Sequence, residues 1–184
     1  ETITGNTLLV ATIANACEIT GLPWGHVSSG CVYSGAKIAE GVRVRVEKDL
    51  MVSKVRSLIE RRPSVVQGYV ETDVPNFSFR DGPCSFYSGT KALAEEVLAA
   101  SSSAPYVWRL RIPFDEFDHP RNYLSKLQNY PKVYDNFNSL SHLGDLVRAA
   151  LDLCQSGAPK GTYNMTNPGF VSTRQVVKLI QKIR

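Results

Sequence analysis

Apolar positions along the chain recur with two periods, one helical and one extended. In TITGNTLLVATIANACEITG, Leu9, Ile13, Ala16 and Cys17 share a helical stripe, with Gly21 placed to end the helix and Pro23 beyond it. WGHVSSGCVY reads as a short buried strand running into a loop. Residues 48 to 61 read as a basic amphipathic helix ended by Pro63, and the turn-rich TDVPNFSFRDGPCS leads into a helix over FYSGTKALAEEVL. PYVWRLRIPF is the next strand, its first apolar residues alternating with arginines until Pro113 stops it. A short helix is expected around residues 121 to 130, a strand at KVYDN, and a helix from about Leu143 to Gln155 with Leu146, Val147, Ala150 and Leu151 on one stripe. GTYNMTN is the last strand. Ser172 with Gln175 forms a capping box for the final helix, flanked by Val171 and Val176 as a hydrophobic staple. Helices alternating with strands predict an α/β class with a mostly parallel sheet, and no internal repeat is visible.

Composition adds limits to this picture. The 184 residues suffice for one domain with a core, or a domain and a small lobe, and 43% hydrophobic with 21% charged residues is ordinary for a soluble globular protein. Cys17, Cys31, Cys84 and Cys154 form no CxxC pair and no zinc-like cluster with the three histidines, so neither a disulfide framework nor a metal site is expected and the setting is read as cytoplasmic. No apolar run approaches the roughly 20 residues needed to span a bilayer. The net charge of +4 resides in residues 43 to 62, where seven basic residues (Arg43, Arg45, Lys48, Lys54, Arg56, Arg61, Arg62) meet three acids (Glu47, Asp49, Glu60). No aromatic residue is interleaved there, so a solvated helix face is expected rather than a nucleic-acid surface.

The candidate chemistry lies in Tyr87 and Lys91, four apart on a helix and therefore on one face, with Cβ atoms about 6 Å apart. A phenol with a pKa of about 10 is a poor acid at neutral pH, and a neighbouring ammonium favours its phenolate. The spacing alone proves little in a chain with eight tyrosines, since a helix surface carries such pairs by chance. Ser29, at the end of the first strand, is placed to hold a reacting oxygen if that strand's carboxyl end faces the same crevice; Ser28 could equally do so, or both could merely end the strand.

SSGCVY followed by YSGTK resembles the Ser/Thr plus Tyr-x-x-x-Lys signature of the extended short-chain dehydrogenase/reductases, the NAD-dependent epimerase/dehydratase family. The similarity is closest to the dTDP-4-dehydrorhamnose reductase-like branch, and ETITGN, ETDVPNF, RLRIPF, HPRNYLSKL and GTYNMTNPGFVS extend it over nearly the whole chain. The resemblance implies a partial Rossmann-type, doubly wound parallel sheet with a small C-terminal substrate-binding lobe, interleaved as about 1–112 and 113–184. It implies an NAD(P)-dependent oxidoreductase that reduces a nucleotide-linked 4-keto sugar. Ser29, Tyr87 and Lys91 would be catalytic, Lys91 and Pro113 would contact NADP or NAD, and Arg121 and Asn122 would face the nucleotide-sugar substrate. For Arg121 and Asn122, helix capping and surface charge are equal alternatives. No nucleic-acid, membrane or metal partner is implied. A homodimer would pair the helices at 1–20 and 87–101.

The same resemblance sets two boundaries. Dehydratases of the family place acids just after the strand Ser/Thr, whereas Gly30 and Cys31 follow Ser29, which disfavours dehydration; an NAD-dependent epimerase and a non-catalytic nucleotide-sugar-binding module of the same fold remain alternatives. The glycine-rich βαβ turn that receives the cofactor pyrophosphate does not occur in these residues, so the chain reads as a fragment expected to bind nicotinamide cofactors weakly by itself. The long interval between Ser29 and Tyr87, including the basic stretch, reads as an insertion, either a surface helix, a lid or an electrostatic lure for an anionic substrate.

Overall fold

The structure, a computed structural model, describes residues 1–102 and 104–183. In chain order its elements are α1 (Leu9–Thr20), β1 (Gly25–Ser29), β2 (Ala36–Glu40), β3 (Arg43–Glu47), α2 (Ser53–Arg61), β4 (Val66–Gln67), α3 (Phe86–Ala99), β5 (Tyr106–Leu110), β6 (Pro113–Phe114), α4 (Tyr123–Asn129), β7 (Phe137–Asn138), β8 (Ser141–His142), α5 (Leu143–Gln155), β9 (Thr162–Asn164), β10 (Val171–Ser172) and α6 (Thr173–Ile183). Among the described residues no helix is long and apolar enough to cross a membrane.

The expected α/β architecture is present as a parallel sheet in the order β1-β5-β9. Its register sets Gly25 against Tyr106 and Ser29 against Leu110. Gly25 is required by close approach, because a Cβ there would lie 2.3 Å from the Trp108 ring. α1 and α3 cover this sheet through Val10, Ala14, Ala94, Leu98 and Val107, with Trp24 packed alongside. α1 ends as its sequence predicts: Gly21 takes the left-handed conformation, and the Gly21 and Leu22 amides donate back to the Glu18 and Cys17 carbonyls, a Schellman ending. A π-helical turn at Thr4–Leu8 precedes α1, and from it Thr7 and Asn6 reach the carbonyl and hydroxyl of Thr90 in the middle of α3.

One expectation is narrowed and one corrected. The helix expected over 48–61 is present at Ser53–Arg61. Ahead of it, where no element was expected, β2 and β3 form an antiparallel hairpin, joined by β4 on the other edge of β2. Strict alternation of Arg43 and Arg45 with Val44 and Val46 after a glycine turn at Gly41 favours the extended form. KVYDN forms no strand, and Tyr134 within it is fully solvent-facing; the extended pair begins at Phe137 and bonds to β10.

The hairpin unit has its own core of Ala36, Ile38, Leu50, Val55 and Ile59, which continues into Phe137 and Phe170. Arg56 fastens this unit to the later chain: its guanidinium meets the Asp135 carboxylate at 2.5 Å and backbone carbonyl at 3.2 Å and stacks over Phe137. Arg174 shares Asp135 from the start of α6.

The Glu95 carboxylate of α3 receives Nε and Nη2 of Arg109 from β5, and the pair is almost wholly buried, with side chains 9% and 6% exposed. Removing one partner of such a pair leaves an uncompensated buried charge, a cost of about 3–5 kcal/mol. Arg109→Met should therefore lower stability to urea by about that amount, and the double change Glu95→Leu with Arg109→Met should recover much of it. A single-variant loss below about 1 kcal/mol would contradict this role.

Candidate active site

β1 and α3 bring the first two predicted residues together. Ser29 ends β1, is 4% exposed, and its Oγ accepts from the Cys31 amide at 3.1 Å, which caps the short 3-10 turn Gly30–Val32. Tyr87 stands in the first turn of α3, which Ser85 caps by accepting from the Ser88 amide. Gly89 permits the close cover of this helix by the Phe79 ring, which a Cβ would approach to 2.2 Å. Burial raises the Tyr87 phenol above its ordinary value and Cys31 adds to this, while the nearby Ser29 hydroxyl and the charge of Arg111 pull the other way. The phenol is thus protonated at neutral pH, the state a proton donor needs.

Lys91 has a different neighbourhood. Its Nζ donates to the Val27 carbonyl at 3.2 Å. Carbonyls alternate sides along a strand, and the Trp24 carbonyl is committed to the Tyr106 amide across the β1–β5 ladder. The Val27 carbonyl therefore lies on the opposite edge of β1, beside the half-exposed Val27 side chain. Burial lowers the Lys91 pKa, opposed by Glu95 one turn on. Its charge acts on His26, and the groups that shift Tyr87 do not include it.

Beneath these residues runs a buried polar network. Ser28 donates to Glu95 at 2.5 Å, Arg109 spans Glu95 and the Tyr33 hydroxyl, and Tyr33 donates to the Asp73 carbonyl while stacking on Tyr69 at 4.4 Å. Ser28 is thus a support for α3, whereas the Ser29 hydroxyl is engaged by the Cys31 amide.

A cavity of about 760 Å³ adjoins this part of the chain, but Ser29, Tyr87 and Lys91 are not among the residues that line it. Gly30, Cys31, Ser85 and Ser88 from the chain around Ser29 and Tyr87 line it, together with hairpin-unit residues such as Lys48, Leu50 and Ile59 and late residues such as Phe137, Asn138 and Phe170. Three cations, Lys48, Arg109 and Arg111, line it and no Asp or Glu does. Arg109 is neutralised by Glu95. Arg111 donates to Asn138 Oδ1 and Cys31 Sγ, all neutral partners. The backbone after Arg111 is strained: Ile112 has φ of 43°, a left-handed value that costs a β-branched residue about 1–3 kcal/mol.

The remaining predicted residues lie elsewhere. Pro113 begins β6, paired with Ser141 of β8, outside the cavity lining. Asn122 caps α4 through its Oδ1, and its Nδ2 serves the Asp115 and Phe117 carbonyls, so its amide is consumed by local structure. Arg121 is exposed and also outside the lining. Arg56, one of the lure candidates, is committed to Asp135. Sequence reasoning missed Lys48 and Arg111 as cavity residues. The arginine repeat in RLRIPF carried a signal for the second, since side chains two apart on a strand share a face, and Arg109 and Arg111 both line the cavity. Among the described residues no group of three metal-ligating side chains occurs.

A parallel α/β sheet with a serine at one strand end and a tyrosine and lysine on the helix that covers it is a partial Rossmann-type fold. No protein-family model matches the chain. It is 30% identical over 97% of its length to a bifunctional dTDP-4-dehydrorhamnose 3,5-epimerase/dTDP-4-dehydrorhamnose reductase of Arabidopsis thaliana, spanning 50% of that protein. Among solved structures, the L780 UDP-rhamnose synthase of Acanthamoeba polyphaga mimivirus superposes with a TM-score of 0.73 at 22% identity, over 97% of this chain and 52% of that one. A Bacillus anthracis dTDP-4-dehydrorhamnose reductase in complex with NADP gives 0.66 at 17% identity, over 97% and 53%. The chain is a homologue of the reductase-like branch of the extended short-chain dehydrogenase/reductases. It spans about half the length of these relatives.

His26 supplies a pH test of the site's underside. On the face of β1 that carries Ser28, its imidazole is held down to about 4, first by burial and then by the Lys91 ammonium. The folded value lies below the unfolded one, so the unfolded chain takes the proton first and stability is lost as pH falls from about 6.5 toward 4. From pH 7 to 5 the wild type should lose about 2 kcal/mol more than His26→Gln in urea unfolding, and equal losses would contradict the assignment.

Proposed function

We propose that this chain carries the proton donor and the sugar-side cavity of an NAD(P)H-dependent oxidoreductase that reduces a nucleotide-linked 4-keto sugar. The observation that carries this is the cavity itself: large enough for a nucleotide-sugar, lined among the described residues by cations without a carboxylate, and bounded by Gly30, Cys31, Ser85 and Ser88, the chain neighbours of Ser29 and Tyr87. A diphosphate-bearing substrate compensates Lys48 and Arg111, while the Asn138, Asn164 and Asn167 side chains offer donors and acceptors to sugar and base. The relatives' names point to the same chemistry.

In this reading Tyr87 gives its proton to the carbonyl oxygen as that oxygen becomes an alkoxide, and Ser29 holds the oxygen in line with the phenol. The residues present fit one end of a nicotinamide cofactor. Lys91 is half-exposed beside the open edge of β1 with a single backbone acceptor, so its ammonium is free to bind ribose hydroxyls. A nicotinamide cofactor, NADP or NAD, supplies the hydride when bound. The buried Glu95–Arg109 pair, with Ser28, holds α3, which carries Tyr87, against β5 and β1.

The test supplies NADPH or NADH with UDP- and dTDP-linked 4-keto-6-deoxyhexoses to the protein carrying this chain, following nicotinamide absorbance and the mass of the sugar product. The expected product is heavier by the two hydrogens added, and Tyr87→Phe should lower kcat by about 10²–10⁴ with little change in nucleotide-sugar affinity. A near-normal rate in Tyr87→Phe would refute the assignment.

A further inference from the structure

In the sheet β3-β2-β4, the strand β3 has β2 on one side and nothing on the other. Along Arg43-Val44-Arg45-Val46-Glu47 every residue but the last is exposed, and Val44 and Val46 keep 49% and 48% of their surface in solvent. A two-residue turn, Gly41-Val42, with Gly41 at φ 64°, joins β2 to β3 and sets Glu40 opposite Arg43. Residues flanking such a turn exchange both backbone hydrogen bonds, and bonded pairs then recur at every second residue. Arg43, Arg45 and Glu47 therefore turn their amides and carbonyls toward β2, whereas Val44 and Val46 turn theirs to the open edge. Among the described residues no strand takes them up.

Opposite residues of the hairpin share a face, so Arg43, Arg45 and Glu47 lie on the face of β2 that carries Glu40, and two acids there balance two arginines. Arg45 sits between the acids, 3.0 Å from Glu40 and 2.5 Å from Glu47. Arg43 forms no ion pair among the described residues. A neutral face gives an anionic partner nothing to neutralise, but the strand complements itself when reversed about Arg45. We propose that β3 is a homodimer interface, in which two copies pair antiparallel about a two-fold axis at Arg45 and join their sheets edge to edge. Arg43 then opposes the second copy's Glu47 at both ends, and Val44 opposes Val46, each using the backbone groups turned to the open edge. The two Arg45 side chains meet at the axis, each already neutralised by its own pair of carboxylates. Charge fixes this register, because a shift of two residues sets Arg43 against Arg45 or Val44 against Lys48. Lys48 follows β3 directly and lines the cavity, so the pairing also braces that wall.

The test is analytical ultracentrifugation of the protein carrying this chain over a concentration series, which needs no turnover and is separate from whether the proposed reaction is observed. The wild type should show an association step that doubles its mass. Arg43→Glu sets like charges against each other at both ends of the pairing and should raise the dissociation constant of that step by roughly tenfold or more. Glu47→Arg should do the same. An equal mixture of these two variants should regain the wild-type constant, because residue 43 of one then meets residue 47 of the other with opposite charge at both ends. Val44→Pro removes an amide aimed at the open edge and none from the β2 ladder, so it should also weaken the step, and it serves if a charge variant does not fold. A wild type without the doubling step would overturn the proposal. So would an unchanged constant in whichever variants fold, the result that a dimer held through the helices at 1–20 and 87–101 would give, or a mixture no tighter than its components.

Discussion

The Glu95 carboxylate can be buried only because four donor contacts reach it, three from Arg109 and one from Ser28. Desolvating two charges is costly, and a pair of this kind is tolerated when the remaining lone pairs and protons are satisfied in a single geometry. That requirement fixes α3 against β5 and β1 at once, since the participants come one from each. Tyr87 and Lys91 lie two turns and one turn before Glu95 on the same helix. Their approach to β1 is consequently set by the pair, and Ser29 follows Ser28 on the strand that completes it. The Arg109 guanidinium also reaches Tyr33, whose stacking on Tyr69 carries the constraint into the cavity wall.

Charge in this protein matters by commitment more than by count. Of the basic stretch, Arg56 closes the wall between α2 and the chain at Asp135, and Arg45 lies between Glu40 and Glu47. The charge that the stretch contributes to the cavity lining is that of Lys48, at the junction between β3 and α2, with Leu50 and Ile59 as its apolar share. The antiparallel unit is therefore a wall of the cavity. Gly35 lets that wall close: its φ of 77° and the Glu47 carbonyl, which would lie 2.0 Å from a Cβ, leave room for no other residue without a shift of backbone.

Much of the fold was legible because local signals agreed with tertiary ones. The capping box is formed as written, with the Ser172 amide donating to Gln175 Oε1 at 2.7 Å and the Gln175 amide to Ser172 Oγ at 3.2 Å. The helices at α1, α3 and α5 and the three parallel strands stand where periodicity put them. The hairpin was hidden by its composition, because a run of arginines draws attention to charge while the valines between them carry the period of two. The proximity of Ser29 and Tyr87 was legible only through a resemblance spanning many blocks. The roles of Arg109 and Arg111 could not be read, because residues two apart in one strand differ here only through long-range partners, Glu95 for one and Cys31 with Asn138 for the other.

In the proposed function the cavity bounded by Gly30, Cys31, Lys48 and Asn138 receives a nucleotide diphosphate. The most direct measurement is an amide chemical-shift map of the isotope-labelled chain titrated with UDP and with dTDP. The account predicts saturable shifts centred on Cys31, Lys48, Asn138 and Gly169, weakened in Lys48→Ala. Shifts confined to the outer faces of α5 and α6, or none at millimolar nucleotide, would contradict it.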